Sequence, residues 1–186
     1  MDDIANAIGI SKKTLYQYYS DKETLVADTI ELALKSSSAD CEFSRQKARN
    51  AIHEGFLASD TVEEMMKSMN PVFLFDMQKY YPGAYRKFLK FKEEFLYNYI
   101  YQNIERGVRE GLFRNDINIS LVSRLRIESI NMPFMQNIYS EIKTDPGTLQ
   151  REILILFLHG IATPKGIRMI NKYKTEKIKP LIDDTK

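Results

Sequence analysis

Much of what this chain lacks bears on its function. Cys41 is its single cysteine, so no internal disulfide can form, and a lone thiol fits a reducing compartment. It has two histidines, His53 and His159, too far apart to form a metal-ligand or acid–base motif. No apolar run exceeds the six residues 153–158, whereas a membrane span needs about 20. No signal peptide is visible either, so the expected location is cytoplasmic with no membrane partner. A charge excess is also missing, because 27 basic residues oppose 25 acidic ones. Gly107 and Gly111 bracket Val108-Arg109-Glu110 without the lysine of a phosphate loop and read as helix-end glycines. Cys41 has no catalytic signature around it, and Glu93, Glu94, Glu105 and Glu110 read as the solvated side of a helix. The sequence gives no basis for an enzyme, a cofactor or a metal site.

Residues 4–25, IANAIGISKKTLYQYYSDKETL, carry the strongest positive signal. Ile4, Ala5 and Ile8 share one helical face, and Gly9 stands where a helix ends in the left-handed conformation that glycine adopts cheaply. Ser11 can cap a second helix, 12–19. That helix turns Leu15 and Tyr19 inward and Lys13 and Gln17 outward, with Lys12, Tyr16, Thr14 and Tyr18 on its edges. Such a face offers cations and a hydroxyl for phosphates, an amide for a base edge and a ring for a thymine methyl. Ser20 and Glu23 form a capping-box pattern for a third helix, which puts Lys22 beside its free N–H groups, a favourable place for a phosphate. Four lysines oppose six acidic residues in residues 1–37. Attraction to DNA must therefore come from the placement of Lys12, Lys13 and Lys22 rather than from a basic field.

This segment resembles the TetR-type (tetracycline-repressor-like) transcriptional regulators. The resemblance rests on Ile4-Ala5 and Gly9-Ile10-Ser11, Thr14-Leu15-Tyr16 at the middle of the reading helix, the pair Tyr18-Tyr19, and Lys22 opening the next helix, all in register. It implies an all-α homodimer, with an N-terminal helix-turn-helix for a double-stranded DNA operator and a larger C-terminal part that binds a small-molecule effector. It also implies that Lys12, Lys13 and Gln17 read bases while Thr14, Tyr16, Tyr18 and Lys22 contact phosphates. Family members place one more helix before this pair. The natural protein is therefore expected to extend upstream of Met1, or to have had its start assigned to an internal methionine.

The rest of the chain reads as helical. Expected helices run from 21 to about 45, 48 to 69, 70 to 81, and 84 to about 110, divided at Asn70-Pro71, Pro82-Gly83 and Gly111. This suggests a DNA-binding module with the start of a connecting helix at 1–37, and an effector-binding and dimerisation domain at 38–186. Eleven of the 21 aromatic residues fall between positions 73 and 101. Met65, Met69, Phe73, Met77, Tyr85, Phe88, Phe95 and Tyr99 are the candidate lining of a pocket for a hydrophobic or aromatic effector. The competing reading of each is ordinary helix core.

Two further helices follow, the first with Pro133 as an expected kink and the second starting near Thr148. Residues 153–158 are apolar on every side, so that helix must bury two faces, one of which can meet a second copy. Candidate interface residues are Ile130, Phe134, Met135, Ile153, Leu156, Phe157, Gly160 and Ile161. The function expected from these features is a ligand-responsive, sequence-specific DNA-binding regulator, a repressor released by its effector. The alternative is a helical small-molecule-binding dimer that does not bind DNA in this form.

Overall fold

The computed structural model describes residues 1–68, 70, 72–134 and 144–176. The described elements are α1 (Asp2–Ala7), α2 (Lys12–Tyr18), α3 (Lys22–Lys47), α4 (Ala51–Ser68), α5 (Phe73–Tyr80), α6 (Pro82–Phe91), a π turn (Lys92–Leu96), α7 (Tyr97–Arg109), α8 (Ile119–Asn131), a 3-10 turn (Met132–Phe134), α9 (Pro146–Ile161) and α10 (Pro164–Thr175). The described residues hold no strand, only an isolated bridge between Phe113 and Ala162. None of their helices is long and apolar enough to cross a membrane. The all-helical fold matches the sequence expectation.

The helix ends follow local chemistry. Ser11 caps α2 by accepting from the Thr14 amide at 3.0 Å. Gly9, with φ +71°, makes the left-handed turn between α1 and α2. The cap of α3 differs from the expected Ser20/Glu23 box. Asp21 is the cap, its carboxylate accepting from the Thr24 amide at 2.7 Å while the Ser20 hydroxyl donates to its other oxygen at 2.9 Å. An ionised acceptor complements the positive end of the helix dipole better than a hydroxyl does, and these bonds hold the Asp21 carboxyl below the usual carboxylate range. Pro82 opens α6 as its first residue, and Asp145-Pro146 opens α9, with Asp145 accepting from the Thr148 amide. Pro133 lies in the 3-10 turn that follows α8, and the residues that would carry a helix past it lie outside the described ones.

The main core is built from α4, α7, α8, α9 and α10. Phe56, Ile52, Ile104, Phe113, Ile170 and Tyr173 are fully enclosed there. Helix α4 lies at its centre and packs along α9 and α7. Close approach is enforced at Gly107, where a Cβ would run into the Phe113 ring. The Glu54 carboxylate is buried on α4 and held by Arg106 at 3.1 Å and Arg45 at 3.6 Å, which ties the far end of α3 to α4 and α7. A second, smaller core joins α3 to α5 and α6 through Ile30, Met77 and Ala84. Phe56 fills the centre of the main core, so Phe56→Ala is expected to lower unfolding free energy by about 3–5 kcal/mol, read from urea denaturation. A loss below about 1 kcal/mol would show that the core does not depend on this helix.

Candidate functional site

The helix-turn-helix stands apart from both cores. Ala5 and Leu15 are its buried side chains, and neither belongs to the two clusters that hold the body together. Ile8, expected on the inner face, follows the last helical residue of α1 and is 59 % exposed. Tyr19 is half-buried beyond the end of α2.

Helix α2 spans seven residues, about 10 Å at the helical rise, short enough to lie in a major groove about 12 Å wide. Lys13, Tyr16 and Gln17, spaced i, i+3, i+4, are all exposed, as is Tyr18 at the helix end. Thr14 is half-buried, its hydroxyl shared with Ser11 Oγ at 2.7 Å. Lys12 is exposed but engaged, since Asp2 of α1 pairs with its ammonium at 2.9 Å and raises its pKa. The sequence reading did not foresee this pair. Lys22, the first residue of α3, lies 5.7 Å from the centre of the Tyr81 ring, and its pKa is raised chiefly by that tyrosine.

Tyr81 belongs to the corner between α5 and α6, so Lys22 touches the body as well as the head. The same corner is clamped along α3. Ile30 packs with Met77 and Ala84, with Val26, Ala27, Tyr81, Tyr85 and Phe88 around them. Lys87 of α6 meets Glu31 of α3 at 2.6 Å, and the two lysines Lys35 and Lys87 lower the Glu31 carboxyl to about 2.

An apolar cavity of about 160 Å³ lies directly behind this clamp. Of the sequence candidates, Met65, Phe73, Met77 and Phe88 line it, together with Met66, Phe91 and Leu96. Met69 lies outside the described residues. Tyr85 packs in the α3–α5–α6 core instead, because it stands one residue from Ala84 on the side that meets α3. Phe95 is stacked between Phe91 and Tyr99 in the body, away from the cavity wall. Tyr99 lines an adjacent cavity of about 80 Å³. The sequence reading missed the walls given by α3 (Ile30, Leu34) and α8 (Ile127, Ile130), whose apolar spacing is indistinguishable from core. Cys41 lies on the walls of both cavities, and burial together with Asp40 and Glu42 pushes its thiol up to about 12, so it stays protonated.

The candidate interface splits into two groups. On α9, Ile153, Leu156, Phe157 and Gly160 recur at i, i+3, i+4, i+7 and form the less buried stripe, with Leu156 72 % exposed. Leu154, Ile155, Leu158 and Ile161 face the core, so Ile161 is turned away from that stripe. Ile130 lines both cavities. The Phe134 side chain and Met135 lie outside the described residues. Leu121 and Leu125 of α8 add exposed apolar surface. No cluster of metal-ligating side chains occurs among the described residues.

Residues 1–29 match the family described as bacterial regulatory proteins, tetR family. Over 163 residues the chain is 25 % identical to the uncharacterized HTH-type transcriptional regulator YvaF of Bacillus subtilis (strain 168), covering 87 % of this chain and 84 % of that protein. Two solved structures share the fold. The ketosteroid transcriptional regulator KstR2 of Mycobacterium tuberculosis aligns with a TM-score of 0.62 at 19 % identity, over 87 % of this chain and 84 % of that one. The transcriptional regulator FadR from Bacillus subtilis, in complex with stearoyl-CoA, aligns with a TM-score of 0.61 at 15 % identity, over 85 % and 86 %. The amino-terminal motif, the curated relative and the fold agree in their likeness to the TetR-type transcriptional regulators.

Proposed function

We propose that the protein is a homodimeric, effector-released repressor: α2 reads operator DNA, and an apolar small molecule in the cavity behind α5 and α6 loosens that grip. One observation carries this reading. Met77 and Phe88 belong both to the cavity wall and to the core that clamps α3, and α3 begins at the DNA head. An effector that spreads these side chains moves α6 against α3, and with it the spacing of two reading heads. Differential affinity is required, since taking the population from 1:99 to 99:1 needs roughly a 10⁴-fold preference for the released state. The fold neighbours, one a ketosteroid transcriptional regulator and one in complex with stearoyl-CoA, are in keeping with a largely apolar effector.

In this reading Lys13 and Gln17 face base edges, with Lys12 joining them once Asp2 lets go. Thr14, Tyr16, Tyr18 and Lys22 border the phosphates. The α9 stripe of Ile153, Leu156, Phe157 and Gly160 pairs two copies, which sets the heads about 34–36 Å apart, one turn of duplex.

The deciding experiment titrates the full-length protein against duplexes from the region flanking its own coding sequence and against random duplexes, over a range of salt. Selective binding that falls steeply with salt is expected. Binding to neither leaves the protein a helical ligand-binding dimer without a working DNA head. Within that assay, Gln17→Ala should change the order of preference among duplexes, whereas Lys22→Ala should weaken all of them alike and reduce the salt slope by about 1. An unchanged preference profile for Gln17→Ala would exclude base reading there. Asp2→Asn frees the Lys12 ammonium and removes a repelling charge, so it should tighten binding at low salt and steepen the salt dependence; equal affinity would mean that Lys12 does not reach DNA. Leu156→Arg places a charge in the exposed stripe and should yield monomers in sedimentation with loss of operator binding. A dimer of unaltered strength would locate the interface elsewhere.

A further inference from the structure

The smaller cavity has a polar wall that the expectation of a hydrophobic effector leaves unexplained. Arg126 of α8 lines it and is 7 % exposed. Among the described residues, neutral groups alone hold its guanidinium. Nη1 donates to Ser129 Oγ at 3.1 Å, the Gln150 amide oxygen, turned towards it, accepts from Nη2 at 3.0 Å, and the Phe157 ring lies 5.7 Å away. No carboxylate pairs with it among the described residues, and burial alone pushes its pKa down to about 10.

The other charges on these walls are already engaged. Glu54 is held by Arg106 and Arg45, and Lys92, on the wall of the larger cavity, pairs with Glu128 at 2.8 Å. Tyr99 and Ser59, also on the smaller cavity, are buried with hydroxyls that have no hydrogen-bond partner among the described residues. A buried cation without an anion costs stability that an apolar residue of similar volume would not. The wall is thus suited to an anion that arrives with a ligand.

The two cavities share Cys41, Val62, Leu96 and Ile130 as walls and so form neighbouring lobes. We infer that the effector is an apolar carboxylic acid, its carboxylate held by the Arg126 guanidinium in the smaller lobe and its hydrocarbon body lying in the larger one. This rests on the reading of the larger cavity as the effector pocket. A guanidinium binds a carboxylate through two parallel N–H···O bonds, stronger and more directional than neutral ones. The larger lobe, at about 160 Å³, compares with a cavity of about 150 Å³ that accepts benzene. The body is therefore the size of one ring or a short chain.

Calorimetric titration of the full chain with 4-phenylbutyrate and with 4-phenylbutan-1-ol tests this, because the two differ at the head group alone. The wild-type protein should bind the acid at least about tenfold more tightly. Arg126→Met should abolish that preference while binding the alcohol no more weakly, and its thermal midpoint without ligand should equal or exceed that of the wild type. Equal affinity of wild type for the two compounds overturns the inference, and so does an acid preference that survives Arg126→Met. The wild-type comparison decides the matter even if that variant fails to fold. Met77→Trp, which fills the larger lobe, separates the two levels of argument. Alcohol binding that Met77→Trp blocks, without any preference for the acid, removes the carboxylate and leaves the pocket. Binding of neither compound by wild type removes both.

Discussion

The contact between α3 and the α5–α6 corner is the constraint on which the rest of the molecule depends. Helix α3 runs 26 residues from the helix-turn-helix into the body. Its Ile30 is buried against Met77 and Ala84, and its Glu31 is paired with Lys87. At its far end Arg45 reaches the buried Glu54 and lies over the Tyr99 ring. A rod held at two separated points transmits rotation of either holder to its free end. That free end carries α2 of the helix-turn-helix, whose own packing is slight. Where the head points is therefore decided mainly by how the body grips the rod.

The two grips differ in kind. At the far end a buried carboxylate is shared by two arginines that are themselves part-exposed, an arrangement costly to disrupt because an unpaired charge would be left inside. Near the head the grip is chiefly apolar, and its outer ion pairs are exposed to water and screened by salt. Apolar contact is non-directional and tolerates small sliding better than a charge network does. Motion is thus easier beside the cavity, and the opposite end acts as the anchor.

The parts of this structure legible in the sequence are those governed by local chemistry. Gly9, Ser11 and Leu15 settled the turn, the cap and the inward face of α2, whereas the starts expected near Ala84 and Thr148 fall two residues earlier, at Pro82 and Pro146, where proline serves as a first helical residue. Where two local options were close in energy, the reading slipped by one residue, as at Asp21 in place of Ser20. Long-range pairing left no local mark. Nothing in the spacing of Asp2 and Lys12 announced their ion pair, and Tyr85 and Phe95 share the apolar period of Phe88 while pointing to other neighbours. Arg126 was a readable anomaly, because its helical position with Ser123, Ile127 and Ile130 puts it on the inward stripe of α8, where a cation is out of place.

The π turn at Lys92–Leu96 carries its own consequence. A wide turn holds one residue more than an α-helical turn, the trace left when a helix accommodates an inserted residue without breaking. Removing one residue there would restore the ordinary pitch and leave the flanking turns in nearly their present phase, because the wide turn absorbs the extra residue locally. Tyr99, Ile100, Ile104 and Gly107 would then keep the side of α7 that now faces inward. The bulge therefore holds the apolar faces of α6 and α7 in register across an extra residue, and a homologue without it would be one residue shorter here with the same order of apolar residues along α7.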